Sequence, residues 1–213
     1  MFARRFSESS YRRSQAATGV PVRPTPIARG LTLRILGAGE DAAERERIAQ
    51  HLIDELSREA GLPPCQVVVP DRPQVHRHDG QRLQSKTYGY YTYRLDAQGK
   101  VAWARIRIYH RTAVQQRVIA PKVFLNTLLH EWTHHYDFHG LRLPRSYHTA
   151  GFFARLRALA DALEVGFVLP ADSDAAGQPA EGALPGRAHN VPHDQHLDTD
   201  SHTTPNPAWN RPD

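Results

Sequence analysis

The run at residues 121–139 constrains this chain more than any other stretch. Pro121 suits a first helical turn, Gly140 suits a C-terminal cap, and Leu125, Leu129 (or Leu128), Trp132 and Tyr136 recur at helical spacing. The same run carries His130, Glu131 and His134 in the order His-Glu-x-x-His. Positions i and i+4 lie about 40° apart around a helix, so both imidazoles face one way and can hold one zinc ion. Glu131 projects beside them, close enough to take a proton from an activated water without being a ligand. The plainer alternative is a histidine-rich solvated helix face. The aliphatic stripe beside His130 and Glu131 argues against it.

A zinc site of this kind needs a third protein ligand and leaves its fourth position to water. His135 points about 100° away from His134 on one helix, so it cannot join while the helix holds. His139 comes five residues after His134 rather than six, and Asp137 stands where a chain-reversing glycine would be needed. Asp161 and Glu164 come at least 27 residues after His134, late in their own helix. His148 is the best of these candidates: it lies 14 residues after His134, beyond a loop containing Pro144, at the start of another amphipathic run. That run, residues 151–165, carries Phe152, Phe153, Leu156, Leu159 and Leu163 and reads as a helix anchored on the core.

Upstream, residues 40–60 read as a helix through Ile48, Leu52, Ile53 and Leu56, ended by Gly61 and Pro63-Pro64. Residues 65–69 form a short β-rich run. Residues 87–95 and 100–110 read as two strands joined by Asp96-Ala-Gln-Gly99, which has hairpin turn chemistry. In the second strand Ala102, Ala104, Ile106 and Ile108 alternate with Trp103, Arg105, Arg107 and Tyr109, predicting one buried and one open face. The order helix, strands, helix, helix predicts an α+β domain over residues 37–169, with a short antiparallel sheet packed on the His-Glu-x-x-His helix.

Charge and composition set the flanks. Residues 1–35 hold seven arginines against Glu8 alone, with Pro21, Pro24 and Pro26 and little periodicity. Residues 1–36 therefore read as a basic disordered arm, able to make a weak nucleic-acid contact through phosphates but lacking aromatic partners for base stacking. Residues 170–213 hold seven acids against Arg187 and Arg211 and few large aliphatics, which predicts a disordered tail. Its His189, His193, His196 and His202 could scavenge metal weakly. No stretch approaches the roughly 20 apolar residues of a membrane span. The basic start lacks the apolar core of a secretory leader, so a soluble, cytoplasmic chain is expected. The single cysteine, Cys65, excludes an internal disulfide or a four-cysteine zinc ribbon, and its apolar strand marks it as a core residue.

The motif His130-Glu-Trp-Thr-His134, followed by His148-Thr-Ala-Gly-Phe152-Phe-Ala-Arg-Leu156, resembles the H-E-x-x-H…H-G-x-x-F pattern of the SprT-like zinc metallopeptidases. The strand before the motif helix resembles that family's order too. The resemblance covers residues 40–168, with about 30 residues in its specific part. It implies a zincin-like domain, His130, His134 and His148 as Zn2+ ligands, Glu131 as general base, and a protein or peptide substrate. It also implies an exposed strand above the metal, within residues 101–110, where a peptide could add as a β-strand. Two departures stand out: Thr149 replaces the glycine usual after the third histidine, and the cysteine pairs of a zinc ribbon are absent. Eukaryotic members act on DNA-bound proteins.

The reading that follows is a zinc-dependent metalloendopeptidase. The rival from another class is a non-catalytic, zinc-stabilised binding module recruited to nucleic acid or a protein partner by the arginine-rich arm. Tyr109, His110 and Tyr147 are equal candidates for stabilising an oxyanion. Tyr88, Tyr90, Tyr91 and Tyr93 read as strand packing rather than a stacking platform. His76 and His78 share a polar loop that reads as solvated rather than as a second metal site.

Overall fold

In three helices beyond the motif helix a cap and an apolar stripe coincide. The computed structural model describes residues 2–78 and 83–165. Its helices are α1 (Phe2–Ala16), α2 (Pro26–Leu36), α3 (Ala42–Glu59), α4 (Pro121–His139) and α5 (Ala150–Ala162). Its strands are β1 (Gln66–Val68), β2 (His76–His78), β3 (Leu83–Lys86), β4 (Gly89–Leu95) and β5 (Val101–Ile108). The architecture is α+β. Asp41 caps α3 by accepting from the Ala43 and Glu44 amides, and Thr149 caps α5 by accepting from Phe152. The Gly140 amide closes α4 on the Tyr136 carbonyl at 2.8 Å.

The sheet differs from the expected antiparallel one. Its order is β1-β5-β4, with β1 parallel to β5 and β4 antiparallel to it. β1 is three residues long, so it announces no partner, and its outer edge is occupied from α3 instead. Glu46 accepts from the Val69 amide at 2.7 Å, and Gln50 accepts from Val67 at 2.7 Å while donating to the Cys65 carbonyl at 3.0 Å. β5 is consequently the central strand, and among the described residues β4 ends the sheet. β2 and β3 form a separate antiparallel pair.

Val67, Ala104, Ile106 and Ile108 on the inner face of the sheet are buried with Leu52, Leu56, Phe124, Leu128 and Trp132 of the helices. Trp132, fully buried, donates its indole N–H to the Ser57 hydroxyl of α3 at 3.1 Å, which fixes the rotation of α4 and turns its histidine face away from the core.

The first 36 residues are not a free arm. Thr25 and Pro26 start α2, and Ala28, Leu31 and Ile35 bury its inner face in the same core. The end of α1 docks on α5, with Ser10 and Ser14 buried. Arginines of the arm are engaged, among them Arg13 with the Leu141 carbonyl, Arg29 with Glu164 and Arg34 with Glu44. Residues 170–213, with their four histidines, lie outside the described residues. No helix among the described residues is long and apolar enough to cross a membrane.

Candidate metal centre

The half-buried face of α4 presents His130 and His134 one turn apart, and the loop leading into α5 brings His148 against them. Their Nε2 atoms form a near-equilateral triangle: 3.0 Å from His130 to His148, 3.2 Å from His130 to His134 and 3.1 Å from His134 to His148. Phe152, buried at the start of α5, floors the cluster with ring centroids 4.7 to 5.0 Å from all three imidazoles. Among the described residues this is the group of histidines, cysteines or acids close enough together to hold a metal ion.

The donor set itself calls for a cation. A neutral imidazole nitrogen is either a donor or an acceptor, and three mutually adjacent nitrogens cannot alternate. At least one of the three contacts therefore sets like against like. A metal ion removes the conflict, since all three nitrogens then present lone pairs. Three ligands at about 2.0–2.1 Å in tetrahedral geometry lie about 3.3–3.4 Å apart, within a few tenths of an ångström of the observed triangle.

The surroundings favour the neutral form. Burial, aided by neighbouring His148, pushes His130 down to about 3. His134 is oriented from behind: its Nδ1–H donates to the Ser146 hydroxyl at 2.7 Å, and Ser146 donates to Asp137 at 2.7 Å. Because that hydroxyl proton is committed to Asp137, His134 carries its proton on Nδ1 and keeps Nε2 bare. Asp137 in turn pairs with Arg155 at 2.9 Å, both side chains fully buried. Asp137, weighed at first only as a departure from another ligand pattern, thus serves the site one step removed.

Glu131 is buried, and burial pushes its carboxyl up to about 8 against the opposing pull of the Tyr91 backbone amide. A cation at the histidines would draw it back down. Tyr91 is on the sheet's terminal strand. The Tyr109 amide bonds the Tyr88 carbonyl, so in the register that pairs Gly89 with Ile108 and Tyr91 with Ile106 the polar groups of Gly89, Tyr91 and Tyr93 face away from β5. Glu131 therefore lies at the outer edge of β4. Val101–Ile108, expected to present the exposed edge, is paired on both sides.

The other candidates fall out of the site. His135 and His139 share the Tyr91 hydroxyl, at 2.9 and 2.7 Å. Glu164 pairs with Arg29. The His110 ring bonds the Glu40 carbonyl at 2.9 Å, Tyr109 packs on Tyr90, and Tyr147 packs edge-on against Tyr11. Tyr91 and Tyr93 pack inward against Phe138 of α4, as strand packing requires. Cys65 is buried and its thiol pushed up to about 12, which leaves no thiolate for chemistry. His76 bonds the Gln74 carbonyl in β2.

Sequence reasoning missed Ser146, Arg155 and the bridging role of Tyr91. Serine in a loop and arginine in a helix carry no spacing rule, so nothing in the order of residues marks them. Comparison with protein-family models, with characterised proteins and with solved structures returned no match.

Proposed function

We propose that this chain is a zinc-dependent endopeptidase acting on extended polypeptide. The observation that carries the reading is the convergence of three imidazole nitrogens beside a buried carboxyl that abuts a strand edge unpaired among the described residues. Three imidazoles in tetrahedral array suit zinc over other divalent ions. His130, His134 and His148 would hold it, and zinc held there supplies Lewis-acid polarisation of a carbonyl and activation of a water molecule.

The chain's own groups supply the rest. Glu131 accepts the proton of the attacking water and returns it to the leaving amine nitrogen. Ser146 and Asp137 keep the His134 ring turned so that its Nε2 lone pair faces the site. An extended peptide pairs with the outer edge of β4, where the outward backbone groups of Gly89 and Tyr93 are spaced to receive it, and passes within reach of Glu131. This moves the substrate strand from β5, which the sequence suggested, to β4.

The rival reading, a zinc-stabilised binding module, drew on a free basic arm, and residues 26–36 are instead part of the core. Glu131→Gln separates the two. The peptidase reading expects zinc affinity to be kept and cleavage of an unfolded protein substrate to fall about 10²- to 10⁴-fold, the range of a general base. Cleavage at the parental rate by that variant contradicts the mechanism.

A further inference from the structure

α1 has the composition of an arm: polar, arginine-rich and without an apolar stripe. Yet residues 11–17 make six contacts, three with Arg155 of α5 and three with residues 141–149, the stretch that carries His148. Arg155, fully buried in α5, donates to the Ser14 carbonyl at 2.8 Å, to the Ala17 carbonyl, and to the Ser14 hydroxyl at 3.2 Å. The Ser14 hydroxyl also meets the Thr149 hydroxyl at 3.0 Å. Arg13 reaches the Leu141 carbonyl at 2.5 Å, and Tyr11 packs edge-on against Tyr147 at 6.0 Å.

These contacts converge on two of the three histidines. Tyr147 and Thr149 are the residues on either side of His148. Arg155 is the far end of the chain Arg155–Asp137–Ser146–His134, whose links are 2.9, 2.7 and 2.7 Å. A guanidinium that must satisfy both the Asp137 carboxylate and the α1 carbonyls is held in one position only while α1 is docked. The fit is also too close for any side chain. A Cβ on Gly151 would come within 2.1 Å of the Ser14 carbonyl oxygen and 2.6 Å of the Gln15 carbonyl oxygen.

We propose that α1 is a positioning element of the metal centre: docked, it fixes His134 through Arg155, Asp137 and Ser146, and fixes His148 through its flanking residues, so that metal affinity depends on its docking. The inference rests on His130, His134 and His148 holding the metal. It goes beyond that reading by assigning the affinity partly to residues 11–17. Outer partners of metal-ligating histidines are typically worth about 10- to 100-fold in affinity.

The test uses full-length chain and zinc alone, with affinity read by competition against a chromophoric chelator and ligand geometry read from the cobalt(II) absorption spectrum. The histidines of the C-terminal stretch are common to every variant, so differences report the centre. Asp137 and Arg155 are left intact, because breaking a buried ion pair would unfold much of the protein. Three milder variants replace them. Ser146→Ala cuts the link to His134, and Ser146→Thr restores a hydroxyl. Gly151→Ala removes no hydrogen-bonding group and raises helix propensity in α5, but pushes α1 off.

Expected is a 10- to 100-fold loss of zinc affinity and an altered cobalt spectrum for both alanine variants, with recovery by Ser146→Thr. The thermal midpoint of metal-free Ser146→Ala should stay close to the parent's. Parental affinity in both alanine variants overturns the inference and leaves the three-histidine site standing. A parent that binds no zinc, or whose zinc binding is indifferent to His134→Ala, overturns the site and the inference together.

Discussion

α4 carries two histidine pairs at the same four-residue spacing, His130/His134 and His135/His139, and the structure gives them opposite fates. In the first pair the Nε2 atoms turn toward each other and toward His148, 3.0 to 3.2 Å apart, in a triangle of contacts that neutral imidazoles cannot all satisfy. In the second the Tyr91 hydroxyl stands between the rings. His135 donates from Nε2 to the Pro63 carbonyl at 3.0 Å, which leaves Nδ1 to accept from Tyr91. The same hydroxyl oxygen then accepts from His139 Nε2–H. Each nitrogen facing Tyr91 has its complement, so that pair serves as a bolt between α4 and β4. Spacing places two imidazoles on one face; what stands between the nitrogens decides whether a metal is wanted there.

The largest effect that could break this contrast is on metal binding. Zinc at a hundredfold excess over its dissociation constant should stabilise the parent by about 2.7 kcal/mol. His139→Ala, measured by denaturant unfolding with and without zinc, should keep that increment even if its baseline falls. His134→Ala should lose it. An increment that vanishes in His139→Ala and survives in His134→Ala would reverse the assignment of the two faces.

The pH dependence of the metal-free chain sharpens the contrast next. Burial pushes His135 and His139 down to about 4, from an ordinary value of 6.5. Their contribution is present above 6.5 and lost as pH falls through 4, worth about 3 kcal/mol for the fully buried His135. Glu131 has the opposite sign. Its folded value of about 8 exceeds its ordinary 4.5, so its contribution is present below 4.5 and lost as pH rises through 8. Several histidines outweigh one glutamate below 6.5, so unfolding free energy measured with chelator present should peak near pH 6.5. Glu131→Gln should remove the fall between 6.5 and 8; an unchanged alkaline limb in that variant would contradict the burial argument.

The smallest effect concerns the bolt alone. Tyr91→Phe leaves His135 Nδ1 and His139 Nε2 without their partner, which should cost about 1–3 kcal/mol by urea unfolding. Zinc affinity should stay at the parental value. A matching loss of affinity would mean that the two faces are coupled through α4.

How much of this was legible in the order of residues differs by element. α4 was, since its cap, stripe and motif agree, and Trp132 at the centre of the stripe fixes which face turns outward. The convergence of His148 on His130 and His134 was legible as well, because chain distance and the α5 stripe leave few other ways to complete the triangle. α2 carried its signals in Thr25-Pro26 and in Ala28, Leu31 and Ile35, but the neighbouring prolines and arginines masked them. α1 offered none: it docks through Ser10, Ser14 and backbone carbonyls, and small polar residues at an interface look like any solvated face. The parallel pairing of β1 was equally hidden, since three residues with an edge covered by Glu46 and Gln50 display no alternation.

The central claim is that His130, His134 and His148 together hold one metal ion while His135 and His139 hold none. Zinc per chain, measured by mass spectrometry of the elements after dialysis of the full-length protein, tests it directly. His148→Ala should contain one zinc fewer than the parent, and His139→Ala should match the parent. Parental zinc in His148→Ala, or one zinc fewer in His139→Ala, would contradict the account.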